Sequence, residues 1–145
     1  ADVSSIFKTQ KPVAQKALLF EGAIKYISIY DFSRKPAKRN YTISDLQSLK
    51  QKPKKLTMSN PANADEIQAC RDAGIDSLAM GMDQIDNVRA IAPTHFCRVG
   101  LDGAVGSNEE LLVDAFEAMR RGGDMYYTLK SLDALEIISR EGIAV

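Results

Sequence analysis

Short apolar segments alternate with helical segments that end at glycine or proline from about Lys55 onward, and this alternation limits the fold more than any other feature. Strands that alternate with helices of this length pair in parallel and are joined by right-handed crossovers. The sequence therefore predicts an α/β domain with a parallel sheet over residues 42–145. A different, basic segment over residues 1–41 precedes it.

The pattern predicts five strands and five helices in this α/β domain. The strands are expected at 55–59, 75–80, 95–99, 124–128 and 143–145. The helices are expected at 42–50, 63–73, 84–92, 111–121 and 132–141. Gly74 and Gly142 match the usual C-cap of a helix, and Ser107-Asn-Glu-Glu110 is a capping-box pattern before the longest helix.

The basic segment contains one clear strand signal, at residues 23–32. Its two sides differ: one carries Ile27 and Ile29, and the other carries Tyr26, Ser28 and Tyr30. We expect a hairpin across Glu21-Gly22 that joins this strand to the apolar residues 17–20. Residues 34–39, which contain a proline, are expected to form a basic loop.

The formal net charge of zero hides a segregation of charge along the chain. Residues 1–55 carry 12 Lys and Arg against 4 Asp and Glu, a charge of +8, whereas residues 56–145 carry 7 against 15, a charge of −8. Such asymmetry indicates an electrostatic partner for the basic part. The alternative is that the basic arm lies on its own acidic domain.

The remaining composition excludes several classes of protein. No apolar run reaches the ~18 residues that a membrane span needs. Cys70 and Cys97 are expected inside regular elements and reduced, so they form no disulfide framework. His95, the single histidine, is expected to be structural. Nucleic acid is not the expected partner, since no aromatic residues lie among the basic ones and the acidic domain would repel phosphate.

The α/β domain resembles ketopantoate hydroxymethyltransferase, a member of the barrel superfamily of phosphoenolpyruvate mutase and isocitrate lyase. Four segments carry this resemblance: Lys55-Leu-Thr-Met58, residues 69–76, residues 118–124 and residues 139–145. It covers residues 42–145 and implies half of a (β/α) barrel with parallel strands. The general base of that family and the rest of its pocket belong to the second half of the barrel, beyond Val145.

The same resemblance implies an enzymatic alternative, in which a divalent cation such as Mg²⁺ acts as a Lewis acid on a 2-oxo acid during one-carbon transfer. The ligands would be Asp83 and Asp102. Both depart from the family pattern, because Asp83 comes one position late and Asp102 aligns only after a shift. The fourth strand, which should present a glutamate, has no acid.

Residues 26–41 have a second resemblance. The segment Tyr26-Ile-Ser-Ile-Tyr-Asp-Phe-Ser-Arg34 and the basic stretch after it are similar to the opening strand and basic turn of cryptophyte phycoerythrin α subunits. They are also similar to the related scaffolding proteins of red algal phycobilisomes. The chromophore-bearing cysteine of the α subunits has no counterpart here, so a bilin is not expected. Acidic phycobiliprotein partners and a plastid location are what this resemblance implies.

Two functional hypotheses follow. The favoured one is a non-catalytic scaffold without a cofactor, which docks onto acidic proteins within a larger assembly such as a phycobilisome-type antenna. Its expected partner-binding residues are Arg34, Lys35, Lys38, Arg39, Tyr26 and Tyr30. The other is the Mg²⁺-dependent hydroxymethyltransferase-type enzyme, which would have a cytoplasmic location.

Overall fold

The structure, a computed structural model, describes residues 26–100 and 106–145. The hairpin predicted across Glu21-Gly22 lies outside these residues, and so does Asp102. The described strands form a four-stranded parallel sheet and a separate two-stranded antiparallel sheet.

The parallel sheet has the strand order β3-β4-β5-β6, which follows the chain. Its strands are β3 (Met58–Ser59), β4 (Ser77–Met80), β5 (Phe96–Gly100) and β6 (Met125–Tyr127). The helices are α1 (Ile43–Leu49), α2 (Ala64–Asp72), α3 (Ile85–Ile91), α4 (Asn108–Arg120) and α5 (Leu132–Arg140). This alternation confirms the predicted α/β class and the parallel pairing.

Local capping fixes the ends of the helices. Ser107 accepts a hydrogen bond from the Glu110 amide while the Glu110 carboxylate accepts one from the Ser107 amide, so the predicted capping box is confirmed. Thr42 and Asp45 form a second box at α1. Gly74 after α2 has φ +70°, a left-handed conformation that glycine adopts without strain.

The core lies between one face of the parallel sheet and the helices. Because side chains alternate along a strand, this face carries every second residue: Leu78, Met80, Cys97, Val99 and Tyr126, all at most 1% exposed. Helical residues that pack against it include Ile67, Val88, Ala115 and Ile138. Tyr126 and Tyr127 point to opposite faces of the sheet, since Tyr126 is buried in the core and Tyr127 is half-buried on the other face.

The second face of the sheet carries Ala79, Arg98, Met125 and Tyr127, which the register places side by side. The Arg98 guanidinium carbon lies 6.0 Å from the centre of the Tyr127 ring. Gly100 is required beside them, because a Cβ there would come within 2.6 Å of that ring.

Three predicted boundaries need correction. The strand predicted at 55–59 is only the two residues of β3, since Lys55 is exposed and lies outside the ladder. Residues 34–39 are not wholly a loop: Pro36–Arg39 form β2, which pairs antiparallel with β1 (Ile27–Tyr30). Pro36 is tolerated as the first residue of this strand, where a missing N–H breaks no interior ladder bond. Residues 143–145 form no strand, although the Tyr126 amide donates to the Ala144 carbonyl at 2.8 Å.

Candidate protein-docking site

The outward side of the β1–β2 pair is exposed and carries aromatic and basic side chains. Tyr26 is 40% exposed and Tyr30 is 76% exposed, while Ile27 and Ile29 between them are half-buried on the other side. This confirms the predicted alternation of the strand. Lys38 of β2 is opposite Ser28 in the register, so it lies beside the tyrosines on the outward side.

The turn between β1 and β2 is closed by the backbone and by one carboxylate. The Asp31 amide donates to the Lys35 carbonyl and the Arg34 amide donates to the Asp31 carbonyl, both at 2.9 Å. Asp31 Oδ1 also accepts the Lys35 amide at 2.8 Å. Arg34 has φ +61°, a left-handed conformation that costs a non-glycine residue energy. The turn therefore holds the exposed Arg34 in a fixed backbone position.

The same turn contacts the C-terminal end of α4. Ser33 Oγ donates to the Arg120 carbonyl at 3.0 Å, which satisfies a backbone acceptor that the end of a helix leaves free. The rings of Phe32 and Phe116 have their centroids 5.8 Å apart in a tilted arrangement. The turn is thereby held against α4, although the two segments are far apart in the sequence.

A carboxylate shared by two arginines joins β2 to the parallel sheet. Arg39 Nε donates to Asp124 Oδ1 at 2.7 Å, and Arg89 Nη2 donates to Asp124 Oδ2 at 2.8 Å. Asp124 Oδ2 also accepts the Cys97 amide at 2.9 Å. The side chains of Arg39 and Asp124 are 4% and 10% exposed. This network ties β2 to the amino ends of β5 and β6.

A second polar network joins the residues after β2 to the same end of the sheet. The backbone N–H of Asn40 donates to the Thr94 carbonyl at 2.8 Å. The side-chain Oδ1 of Asn40 accepts a hydrogen bond from the backbone N–H of Phe96, also at 2.8 Å. Asn40 Nδ2 donates to the Asp76 carbonyl, while the Tyr41 hydroxyl donates to the Asp76 carboxylate. Burial is the main cause that raises the pKa of Tyr41, so its hydroxyl remains a donor.

An open groove of about 530 Å³ lies between the β1–β2 pair and the end of α4. It is lined by six cations: Lys35, Lys38, Arg39, Arg89, Arg120 and Arg121. Only one carboxylate, Asp31, is part of the lining. Within residues 26–100 and 106–145, no carboxylate oxygen lies within 4.0 Å of Lys35, Lys38 or Arg120. The groove is thus strongly basic.

The structure brings most of the predicted partner-binding residues to this region. Tyr26, Tyr30, Arg34, Lys35 and Lys38 are all exposed. Arg39 is buried in the Asp124 network, so it forms the floor of the groove and is not on the outward side.

Three groove residues were missed by the sequence reasoning: Arg89, Arg120 and Arg121. In the sequence they are ordinary basic residues in the last turns of helices. Their role arises from contacts such as Ser33 to Arg120, which join residues 87 positions apart. No local pattern carries that signal.

The carboxyl ends of the parallel strands, where the enzymatic alternative places its metal, show a different arrangement. Asp83 lies in the 3₁₀ turn Met82–Gln84 after β4, is exposed, and accepts a hydrogen bond from the Gln84 amide group at 2.9 Å. Among the described residues there is no group of three or more His, Cys, Asp or Glu side chains that could hold a metal.

Neither the single histidine nor the two cysteines line the groove, and His95 and Cys97 are buried. Burial is the main cause that lowers the pKa of His95, and the neighbouring Arg89 lowers it further. Burial also raises the pKa of the Cys97 thiol to about 12. Cys70 and Cys97 are both free thiols, as the sequence predicted.

In the parts of the chain that the structure describes, no helix is long and apolar enough to span a membrane. Comparison with models of protein families, with curated proteins and with solved structures finds no match to this chain.

Proposed function

We propose that this chain is a non-catalytic scaffolding module that docks onto an acidic protein surface through the β1–β2 pair and the groove beside it. The observation that carries this proposal is the set of groove cations that have no carboxylate partner among the described residues, next to the exposed Tyr30. Cations that have no carboxylate partner in the described part of the chain are available to an external one.

The two kinds of side chain on this surface contribute differently to binding. Exposed lysines and arginines steer an acidic partner toward the site and fix its orientation. Tyrosine supplies a large contact area with little loss of side-chain freedom, and it is enriched among the residues that dominate protein interfaces. Tyr30 and Lys38 lie on the same outward side, so one partner surface would meet both.

The proposal includes a finer description of the fold, in which β3 to β6 form half of a (β/α) barrel. Supporting it, the strand order follows the chain without reversal, as it does in a barrel, whereas a doubly wound sheet reverses its order. The docking site lies at the amino end of these strands, away from the carboxyl end where barrel enzymes carry out their chemistry.

The resemblance of residues 26–41 to phycobiliprotein-associated chains suggests the partner to test first. Phycobiliproteins are acidic proteins, and the residues that carry the resemblance are those that form β1, the turn and β2. We therefore propose a place in a phycobilisome-type antenna, with a plastid location.

The test reverses the charge of the exposed cations and leaves Arg39 unchanged, because Arg39 stabilises the fold. The variant is Arg34→Asp, Lys35→Glu and Lys38→Glu; aspartate is chosen at position 34 because it tolerates the left-handed conformation. Binding to a purified phycobiliprotein is measured by biolayer interferometry at several salt concentrations. We expect a loss of at least about 10-fold, and wild-type affinity that falls steeply with salt.

The matched control reverses three exposed lysines outside the groove, Lys50, Lys52 and Lys55. It changes the net charge by the same amount, so equal losses in both variants would mean that only overall charge matters. Unchanged binding by the groove variant would refute the proposed docking surface.

The enzymatic alternative keeps one supporting observation: Asp83 follows the carboxyl end of β4, where a metal ligand of a barrel enzyme would lie. Under this alternative Mg²⁺ and a 2-oxo acid raise the thermal midpoint of the wild-type chain but not that of Asp83→Asn, since a ligand that binds only the native state stabilises it. Equal midpoints with and without the ligands would contradict it.

A further inference from the structure

The floor of the groove contains a buried guanidinium group that is only partly satisfied. Arg39 uses Nε for Asp124, and Nη1 for the carbonyls of Lys38 and Pro93. Its Nη2 forms no hydrogen bond with the rest of the described chain. Since Arg39 is 4% exposed and lines the groove, the groove is the route by which an acceptor reaches this donor.

The charges around the groove are not balanced within residues 26–100 and 106–145. Asp124 serves both Arg39 and Arg89, and Asp86 pairs with Arg121 at 2.7 Å on the outer side. With Asp31 these make three carboxylates against six cations, a formal charge of +3. A site with this excess charge, and with an arginine N–H that has no partner among the described residues, attracts an anion.

We propose, resting on the function proposed above, that the groove is a specific receptor for an extended acidic segment of the partner protein. One carboxylate of that segment accepts a hydrogen bond from Arg39 Nη2 on the floor. Neighbouring carboxylates pair with Arg120 and Arg121 at one wall and with Lys35 and Lys38 at the other. Arginine suits this role because its planar group presents several donors in a fixed geometry.

A protein segment fits better than a nucleic acid. Residues 56–145 carry a net charge of −8, so the body around the groove repels a long chain of phosphates. An acidic peptide places only a few charges inside the groove, and its flanking residues need carry none. The open shape of the groove, with walls from β2 and α4, also allows a chain to pass through it.

The first experiment measures the fluorescence anisotropy of a labelled oligoglutamate peptide with the full chain. The groove variant is Arg120→Gln with Arg121→Gln, since both residues lie at the end of α4 and the Ser33 contact is made to the Arg120 backbone carbonyl, which the substitution leaves in place. Exposed ion pairs contribute about 0.2–1 kcal/mol each, so we expect roughly a 2- to 30-fold loss of affinity. The control is Lys55→Gln with Arg140→Gln, both outside the groove, which should bind like the wild type.

Two further measurements complete the test. In an NMR titration the Nε–Hε signal of Arg39 should shift when the peptide is added, which requires no variant that could unfold. Equal losses in the groove and control variants, or an Arg39 signal that does not move, would overturn the inference. Displacement of the peptide by the same concentration of inorganic phosphate, or tighter binding of an oligothymidylate of equal charge, would also overturn it in favour of a general anion site.

Failure of this inference can be told apart from failure of the proposed function. If the chain binds a phycobiliprotein and the Arg120→Gln, Arg121→Gln variant binds it equally well, docking stands and the groove is not its receptor. If the wild-type chain binds no acidic protein at any salt concentration, the proposed function fails, and the groove proposal fails with it.

Discussion

Arg34 combines an exposed charge with a backbone conformation that favours glycine. At the left-handed position of such a hairpin turn glycine is the usual residue, and an L side chain costs about 1–2 kcal/mol there. Because glycine also has more freedom to lose on folding, we expect Arg34→Gly to raise the free energy of unfolding by only about 0.5–1 kcal/mol. Urea denaturation measures this change.

The variant Arg34→Ala separates strain from charge at this position. Alanine keeps the unfavourable φ, so it should give no gain in stability. Both variants remove the same charge and should weaken phycobiliprotein binding equally. Stabilisation by alanine as large as that by glycine would show that the positive φ is not the cause.

His95 predicts how stability depends on pH. Burial lowers its pKa below the ordinary value of 6.5, so the unfolded chain takes up a proton at a higher pH than the folded chain does. The contribution of His95 to stability is therefore constant well above pH 6.5 and falls as the pH drops below it, by up to about 1.4 kcal/mol per pH unit. Urea midpoints at pH 7.5 and about 5.5 should differ in the wild type and much less in His95→Gln. An equal slope in both proteins would assign the dependence to carboxylates.

The attachment of β2 to the sheet depends on Asp124. Replacing one partner of a buried ion pair leaves the other charge unpaired, which costs about 3–5 kcal/mol. We expect Asp124→Asn to lower the free energy of unfolding by that amount, because it removes the carboxylate charge from both Arg39 and Arg89. Thermal and urea unfolding measure the loss.

Asp86→Asn is the matched control, since Asp86 also pairs with an arginine at 2.7 Å but is 72% exposed. A surface pair contributes only about 0–1 kcal/mol. If both substitutions cost the same small amount, the Asp124 network is not what holds β2 in place.

The sequence predicts elements whose causes are local and misses those that depend on distant contacts. The capping box at Ser107 and the glycine after α2 were predicted because a few neighbouring residues determine them. The residues of β2 were predicted to be a basic loop, because the contacts that make them a strand are not visible in a local pattern. These contacts are the pairing with β1 and the hydrogen bond between Arg39 and Asp124, which are 85 positions apart. Tertiary contact overrides the local signal of Pro36 there.

At the scale of the molecule, the sequence predicts a charged face but not the shape of that face. The +8 charge of residues 1–55 indicates a basic partner-binding region. The groove, however, takes half of its six cations from the acidic second part of the chain, from α3 and the end of α4. The folded molecule therefore brings cations from both parts of the chain together in one place. A count of charges along the sequence does not show this clustering.

The molecule also divides into a tightly packed sheet and a less buried β1–β2 pair. β4 and β5 are each paired on both sides, and all four residues of β4 are buried. In β1 and β2 only Arg39 is buried, and polar contacts together with the Phe32–Phe116 ring contact hold the pair in place. Regions with few buried apolar contacts open at lower free energy than the core does. We expect hydrogen exchange to be slowest in β4 and β5 and distinctly faster in β1 and β2.

A docked partner should then slow hydrogen exchange selectively in β1 and β2, because it suppresses the local opening of this pair. The core amides exchange through global unfolding, so their exchange should change less. Hydrogen-exchange mass spectrometry with and without an acidic phycobiliprotein measures this, and β4 and β5 of the same chain serve as the internal reference. Protection that rises equally in β4 and β5 would mean that the partner stabilises the whole fold. Equal exchange in all strands of the free chain would mean that the β1–β2 pair is part of one cooperative unit, and that docking acts on a preformed, rigid surface.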